Sequence, residues 1–315
     1  MSDSPIQTDV LIIGASASGL MCAIEAGKRG RKVIVLDHVN KPGKKILMSG
    51  GGRCNFTNYH VSAENYISHN PHFCKSALSR YTQWDFLALV NQYEIPFHER
   101  SNGQLFCNNS AKDILNMLLS ECEKYSVTIK LKTEISSLEK LSNNNFQITT
   151  DSKNYSCQSL VVATGGLSIP KMCATPLGYK IAQQFGMKVW PTSAGLVAFT
   201  LQPEDKERFS PLSGIAIESV VSNQRISFRE NILYTHRGLS GPAILQISSY
   251  WLPGESISIN LLPDINLAEM LKEAQQQHPQ QQLKNYLAHH LPKRVIDALV
   301  EESLSDKALQ TLSHK

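Results

Sequence analysis

The sequence predicts an α/β fold that is built on a parallel sheet. Three short apolar runs, residues 10–13, 32–36 and 160–163, have the composition of strands that are buried on both faces. The first run leads through a glycine-containing turn into a predicted helix over residues 20–28. Because parallel strands are joined by crossover connections, we expect the three runs to pair in one sheet with residues 10–13 in the middle.

The turn after the first run has the pattern of a dinucleotide-binding site. Residues 14–19 read G-x-S-x-x-G, one residue away from the fingerprint G-x-G-x-x-G. Gly14 permits the tight turn, Gly19 lets the helix approach the strand, and Ser16 stands where a second glycine would let the backbone approach a phosphate. The helix N-terminus then offers free N–H groups and the positive end of its dipole to a pyrophosphate. Asp37 ends the second run at about the spacing of an acid that binds the adenosine ribose, although an ordinary βαβ unit with a surface aspartate is the alternative.

Periodicity and turn residues predict the remaining elements. Apolar residues recur at spacings of three and four in the predicted helices, which prolines bracket at positions 71, 96, 279 and 292. These helices are residues 46–48, 72–99, 110–125, 175–185, 267–276, 281–291, 293–303 and 306–313. Short runs between turn residues predict strands at residues 127–131, 133–138, 146–150, 155–157, 197–201, 215–221, 224–228, 231–235 and 256–261, with a β-meander before residue 160. We therefore predict one domain over residues 1–190 and a second over 191–315, with a β-rich barrel at 191–262 and helices at 263–315.

The composition excludes several classes of protein. The 315 residues carry 31 Lys+Arg and 27 Asp+Glu, a net charge of +4 that is spread evenly, so no nucleic-acid partner is expected. The seven cysteines include no C-x-x-C pair, which fits a reducing compartment better than a disulfide framework. No basic region precedes an apolar stretch near residue 1, so secretion is not expected, and no apolar run approaches the length of a membrane span. We expect a cytoplasmic location and no membrane partner.

A glycine-rich loop is predicted at residues 41–58. Gly50, Gly51 and Gly52 follow two lysines and precede Arg53. Consecutive glycines beside basic residues offer unshielded N–H groups to an anion. The alternative is a flexible surface loop, but the composition is unlike that of a linker.

Four motifs together resemble the HI0933-like flavoproteins, which are also known as aminoacetone-oxidase-like FAD-binding enzymes. They are GKKILMSGGGRCNFTN at residues 43–58, GQLFC at 103–107, VVATGGLSIP at 161–170 and THRGLSGPAILQIS at 235–248. The resemblance runs over essentially the whole chain. It implies an FAD-binding, Rossmann-like domain of the glutathione-reductase type in residues 1–190 and an inserted domain in residues 191–315.

The resemblance also implies which residues contact FAD. The fingerprint turn would lie along the pyrophosphate, Asp37 would hold the ribose, and the main chain of Ile135 would contact adenine. Lys45 and the glycine loop would line the cleft toward the flavin, where the ATG motif also passes close to the cofactor. The implied cofactor-binding residues are Gly14, Ala15, Ser16, Gly19, Asp37, Lys45, Gly50, Gly51, Gly52, Arg53, Asn55, Ile135, Thr164 and Gly165.

No catalytic constellation stands out, so a flavin would carry the redox step. The polar candidates for catalysis are Arg53, Cys54 and Asn55 on the glycine loop and His236 in the glycine-rich loop of the second domain. A structural role is as well supported for His236 as one that faces substrate. Cys54 has no nearby partner cysteine in the sequence, which favours packing over redox chemistry. No metal site is expected.

The leading hypothesis is an FAD-dependent oxidoreductase that acts on a small organic substrate by hydride transfer through the flavin, with NAD(P)H as the candidate electron donor. Members of this family are associated with amine oxidation or with reduction of a carbon–carbon double bond, so the direction stays open. One alternative is a non-catalytic or truncated FAD-binding protein. Another is a flavin-dependent RNA-modifying enzyme, which would need a concentrated basic surface.

The resemblance further implies that the chain lacks a C-terminal segment that closes the FAD domain in members of the family. We therefore expect residues 160–163 to form an exposed apolar sheet edge. We also expect weak FAD binding, because the adenosine half of the site is encoded more completely than the flavin half.

Overall fold

The first unit of the computed structural model, Met1–Trp190, is organised around a six-stranded sheet. The structure describes residues 4–313. The strands of this unit are β1 (Ile6–Ile13), β2 (Val33–Leu36), β3 (Asn55–Asn58), β4 (Phe97–Glu99), β5 (Gln104–Cys107), β6 (Thr128–Lys130), β7 (Ile135–Lys140), β8 (Phe146–Thr150) and β9 (Asn154–Val162). Its helices are α1 (Ala17–Lys28), α2 (Lys44–Met48), α3 (Lys75–Arg80), α4 (Gln83–Gln92), α5 (Ala111–Lys124) and α6 (Leu177–Gln184).

The order of the six strands is β6-β2-β1-β9-β8-β7. Strand β1 pairs in parallel with β2 on one side and with β9 on the other. The predicted parallel sheet with residues 10–13 in the middle is therefore confirmed. Strands β7 and β8 add an antiparallel meander beside β9. The runs at 155–157 and 160–163, predicted as separate strands, are instead parts of the single strand β9.

Both faces of this sheet are covered by apolar side chains. Ile12 and Val35 point to a cluster that includes residues of α1 and α5, whereas Leu11 and Ile34 point to a second cluster on the opposite face. Side chains of a strand alternate between its two faces. A strand that is covered on both faces must therefore be apolar throughout, which is the pattern that the sequence shows.

One edge of β9 is open along its carboxyl half. Strand β8 pairs with residues 154–157 of β9, and within residues 4–313 no strand pairs with the corresponding edge of residues 158–162. Val162 is 40% exposed there. This agrees with the exposed apolar edge expected for residues 160–163.

The long helix predicted over residues 72–99 is wrong. The chain forms α3 and α4 there, and then strand β4, which joins β3 and β5 in a three-stranded antiparallel sheet. Thr82 breaks the helix because it is extended and caps α4: its backbone N–H donates to Asp85 Oδ2 at 2.7 Å, while its hydroxyl accepts from the Asp85 N–H at 3.3 Å. The apolar spacing continues across the break, so periodicity alone did not reveal it.

The second unit, Pro191–Lys315, combines an antiparallel sheet with helices. Its strands are β10 (Phe199–Thr200), β11 (Ala216–Ser222), β12 (Ser227–Thr235), β13 (Gly238–Ser240) and β14 (Ser258–Asn260), in the order β10-β13-β12-β11-β14. Its helices are α7 (Pro203–Phe209), α8 (Pro242–Ser248), α9 (Leu267–Gln277), α10 (Leu283–Leu287), α11 (Lys293–Leu299) and α12 (Glu302–Ser305).

Three predictions for this unit need correction. The strands predicted at 224–228 and 231–235 form one strand, β12. The helix predicted at 293–303 is divided because Val300 is extended, and the helix predicted at 306–313 is only a short 3-10 turn, Leu309–Thr311. Helices α7 and α8 were not predicted. Across both units, none of the helices described is both long and apolar enough to cross a bilayer.

Candidate cofactor and active site

The turn from β1 into α1 leaves no room for side chains at its two glycines. Gly14 has a φ of +115°, and a Cβ at this position would lie 2.3 Å from the carbonyl oxygen of Ala163. A Cβ on Gly19 would lie 1.8 Å from the carbonyl oxygen of Gly14. Both positions therefore require glycine, one for the approach to β9 and one for the approach of α1 to the turn.

The N-terminus of α1 is open to an anion. Ser16 is the N-cap residue, and its side chain makes no capping hydrogen bond. The first turn contains no acidic residue, and Ala17 and Ser18 are exposed. Because the first N–H groups of a helix have no partner within it, this turn can accept the pyrophosphate of a dinucleotide.

We expect Ser16→Gly to preserve the fold and to leave FAD affinity unchanged or tighter. Ser16 has extended backbone angles that serine and glycine both adopt, and removing its side chain gives a phosphate more room. Titration of the protein with FAD measures the effect, and Ser76→Gly, at the exposed second residue of α3 and outside both cavities, serves as the matched control. A marked loss of affinity in Ser16→Gly alone would show that the hydroxyl is a ligand and that the steric argument is mistaken.

Asp37 follows the last residue of β2 and binds the backbone of the turn between β1 and α1. Its Oδ2 accepts the backbone N–H of Ala15 at 2.7 Å, and its Oδ1 accepts the N–H of Val39 at 3.2 Å. The carboxylate is only 12% exposed and borders a cavity of about 230 Å³. Ile135 also lines this cavity, so the predicted ribose and adenine contacts lie together.

A second cavity, of about 470 Å³, contains the larger share of the predicted site. Its lining includes Ser16, Lys45, Asn55, Thr164 and Gly165. The Lys45 ammonium donates to the carbonyl oxygen of Gly166 at 3.2 Å and to the hydroxyl of Ser168 at 3.3 Å. Helix α2 is thereby fixed to the loop that follows β9. The two cavities share Asp37 and Thr164, which makes them adjacent parts of one cleft.

Several predicted residues lie outside both cavities. Among the loop glycines, Gly50 packs against the ring of Phe106, while Gly51 and Gly52 have open space around them. The Arg53 guanidinium donates to the carbonyl oxygen of Asn108 at 2.7 Å. His236 belongs to the second unit, in the exposed turn between β12 and β13. Gly19 is buried beneath the turn and acts through packing.

Cys54 lies at the wall of the larger cavity with a left-handed φ of +49°. Its side chain is buried, and burial raises the pKa of the thiol, although a hydrogen bond with Ser49 opposes this. Cys54 has no cysteine near it in the sequence, but in the structure Cys107 of β5 lies close enough to interact with it electrostatically. Burial and the Cys54 thiol together raise the pKa of Cys107 to about 12. Both thiols therefore stay protonated at neutral pH.

His38 and Cys173 were not predicted, yet they line both cavities. A ring nitrogen of His38, Nε2, lies 3.0 Å from the carbonyl oxygen of Cys173, and Nδ1 lies 3.3 Å from Asp37 Oδ1. The position of His38 directly after Asp37 was the available signal. Within residues 4–313, no group of three or more His, Cys, Asp or Glu side chains is placed to hold a metal ion.

Comparison with protein families matches nearly the whole chain. Residues 8–211 match the HI0933-like protein Rossmann domain, and residues 193–315 match the HI0933-like protein barrel and H2TH domain. The chain belongs to the HI0933-like family. The resemblance drawn from the four motifs is confirmed, and so is the fold class: an FAD-binding, Rossmann-like domain with a parallel sheet, and a barrel and H2TH domain.

The relatives of this HI0933-like protein include two ribosomal RNA dihydrouridine synthases and a bile-acid reductase. Ribosomal RNA dihydrouridine synthase of Escherichia coli is 53% identical over 307 residues, which cover 97% of this chain and 76% of that protein. The protein of the same name from Haemophilus influenzae is 47% identical, with coverage of 96% and 77%. The 3-dehydro-bile acid delta(4,6)-reductase of Clostridium scindens is 26% identical, with coverage of 93% and 74%.

The expectation of a small-molecule substrate and of no nucleic-acid partner is wrong, because the two most similar of these relatives are named for ribosomal RNA. The error has a physical reason. Charge averaged over the whole chain gives +4, yet residues 274–296 contain no Asp or Glu. Averaging therefore concealed a segment that is entirely free of acidic residues.

Proposed function

We propose that this protein reduces uridine to dihydrouridine in ribosomal RNA, with FAD as its redox cofactor. The observation that carries the proposal is the 53% identity to a ribosomal RNA dihydrouridine synthase over 97% of the chain. A ribosomal RNA substrate agrees with the cytoplasmic location expected from the cysteine pattern. The bile-acid relative is also named a reductase, which favours reduction as the direction of the reaction.

The reaction saturates the C5–C6 bond of uracil and adds one hydride and one proton. Because this double bond is conjugated with the C4 carbonyl, C6 accepts the hydride and C5 takes up the proton. Bound FAD would supply hydride-transfer chemistry. We propose NAD(P)H as the source of the two electrons, so that uridine, NAD(P)H and a proton yield dihydrouridine and NAD(P)⁺.

Different residues of the cleft would bind different parts of FAD. The free N–H groups of α1 would bind the pyrophosphate beside Ala15 and Ser16, and Asp37 and Ile135 would hold the adenosine half. On the flavin side we propose Lys45, Asn55, Thr164 and Gly165 as ligands, because they line the larger cavity. Gly50, Gly51, Gly52 and Arg53 lie outside both cavities, so their contact with the flavin stays a prediction from the sequence.

Cys54 is the candidate proton donor. Of the four predicted catalytic residues, only Cys54 and Asn55 line the cleft, and of these only the thiol can release a proton. Since burial raises its pKa, the thiol is protonated at neutral pH and can give its proton to C5. Solvent would then reprotonate the sulfur.

The test is formation of dihydrouridine in an unmodified transcript of ribosomal RNA. We expect this chain, supplied with FAD and NADPH, to produce a uridine that is heavier by two hydrogen atoms in nucleoside mass spectrometry. Omission of NADPH is the control and should abolish the product. Tight FAD binding without any dihydrouridine would contradict the proposal and favour a non-catalytic flavoprotein.

A further inference from the structure

A stretch without acidic residues runs through the helices of the second unit. Residues 274–296 contain no Asp or Glu, and they contain three Lys or Arg residues and three histidines. Lys284 forms an ion pair with Asp306 and is neutralised. Four of the remaining basic residues lie close together, from the end of α10 to the first two residues of α11. We call this group the basic turn: His289, His290, Lys293 and Arg294.

The basic turn is exposed, but its backbone is fixed from below. All four of its side chains are exposed, while Leu287 and Leu291 belong to the apolar cluster beneath. The N–H of Leu291 donates to the carbonyl oxygen of Leu287 at 2.9 Å. The Arg294 guanidinium donates to the carbonyl oxygen of Pro211 at 2.9 Å and anchors the start of α11. The backbone of the turn and the guanidinium of Arg294 are therefore held in place.

The two cations of the basic turn, Lys293 and Arg294, are not paired with neighbouring acids. In the part of the chain that the structure describes, no ion pair includes Lys293 or Arg294. Asp297 lies one helical turn from Lys293 and is the nearest acid along α11, whereas Glu302 and Asp306 lie beyond the helix, toward Lys284. The ring of Tyr286 lies 6.4 Å from that of His289 and 6.0 Å from that of His290.

We propose that the basic turn binds the phosphodiester backbone of the RNA substrate. The inference rests on the proposed function and names a contact surface for it. RNA carries a negative charge at every nucleotide, and the exposed cations Lys293 and Arg294 suit neighbouring phosphates, to which the rings of His289 and His290 can donate hydrogen bonds. Flat imidazole rings beside a tyrosine can also stack on unpaired bases.

The test measures binding of a labelled ribosomal RNA transcript to the full chain between about 50 and 200 mM salt. The variant carries His289→Gln, His290→Gln and Lys293→Gln together. We expect its affinity to fall by about tenfold and the slope of log affinity against log salt to lessen by about one. Lys293→Glu alone, which reverses a single charge, should also weaken binding. The matched control is Lys272→Gln, which removes an exposed lysine of α9 and should change affinity by less than about twofold.

Two results would overturn the inference. One is unchanged affinity and salt slope in both Lys293 variants, measured on protein that melts at the temperature of the unaltered chain. The other is equal weakening by Lys272→Gln, which would indicate a general effect of charge. Dihydrouridine formation by the unaltered chain is measured on the same transcript. If it forms product while the variants bind as before, only this inference fails; if it neither binds nor modifies the RNA, the proposed function fails as well.

Discussion

Gly19→Val is expected to abolish FAD binding and to lower the free energy of unfolding by at least about 3 kcal/mol. A Cβ at this position would lie 1.8 Å from the carbonyl oxygen of Gly14, which is backbone and cannot rotate away. Helix α1 would have to move off the sheet, and its N-terminal N–H groups would leave the position that suits a pyrophosphate. Thermal denaturation and titration with FAD measure the two effects.

Two further substitutions distinguish the clash of a Cβ at residue 19 with the Gly14 carbonyl oxygen from the poorer helix propensity of valine. Gly19→Ala introduces the same Cβ without branching and should already cause most of the loss. Ser18→Val places a branched side chain at the adjacent, exposed position of α1 and should cost less than about 1 kcal/mol of stability. Normal stability and FAD binding in Gly19→Ala would refute the packing argument.

Cys54→Ala is expected to lower dihydrouridine formation by about 10²- to 10⁴-fold, which is the usual contribution of a general acid. The fall should occur at the step that needs the proton, because the thiol lines the cleft and is protonated at neutral pH. Reduction of bound FAD by NADPH without RNA should stay within about twofold of the unaltered protein. The measurements are nucleoside mass spectrometry for the product and flavin absorbance for the reduction.

Cys122→Ala is the matched control for this prediction. Cys122 is 1% exposed, packs in the same apolar cluster, and has a thiol pKa that burial raises to about 11. It lines neither cavity, so its loss should lower stability to a similar extent and leave product formation almost unchanged. If Cys54→Ala retains product formation within about threefold, another group delivers the proton.

The sheet and its glycine turn were predictable because local composition determines them. A strand that is covered on both faces must be apolar along its whole length, and residues 10–13 and 33–36 are apolar throughout. Gly14 and Gly19 were predictable for a similar reason, since only glycine fits where backbone approaches backbone. The break at Thr82 was also signalled locally by Asp85 three residues later, but the apolar spacing of the two helices runs across it.

Other features depend on contacts between distant parts of the chain and could not be predicted from local patterns. The proximity of Cys54 to Cys107 arises from pairing of β3 with β5, and nothing near either cysteine indicates it. The position of Cys173 beside His38 likewise depends on a contact between residues that are 135 positions apart in the sequence. The basic turn is a different case. Its residues lie within six positions of one another, so the local sequence shows them. The net charge of the whole chain does not.

The central position of β1 has a consequence for synthesis on the ribosome. Its partner β2 ends at residue 36, whereas its other partner, β9, is complete only at residue 162. At about 5–20 residues per second, the second partner emerges roughly 6–25 s after the first. Throughout that interval the nascent chain carries an apolar strand with one unsatisfied row of backbone groups. Strand β1 therefore cannot complete its pairing until synthesis has passed residue 162.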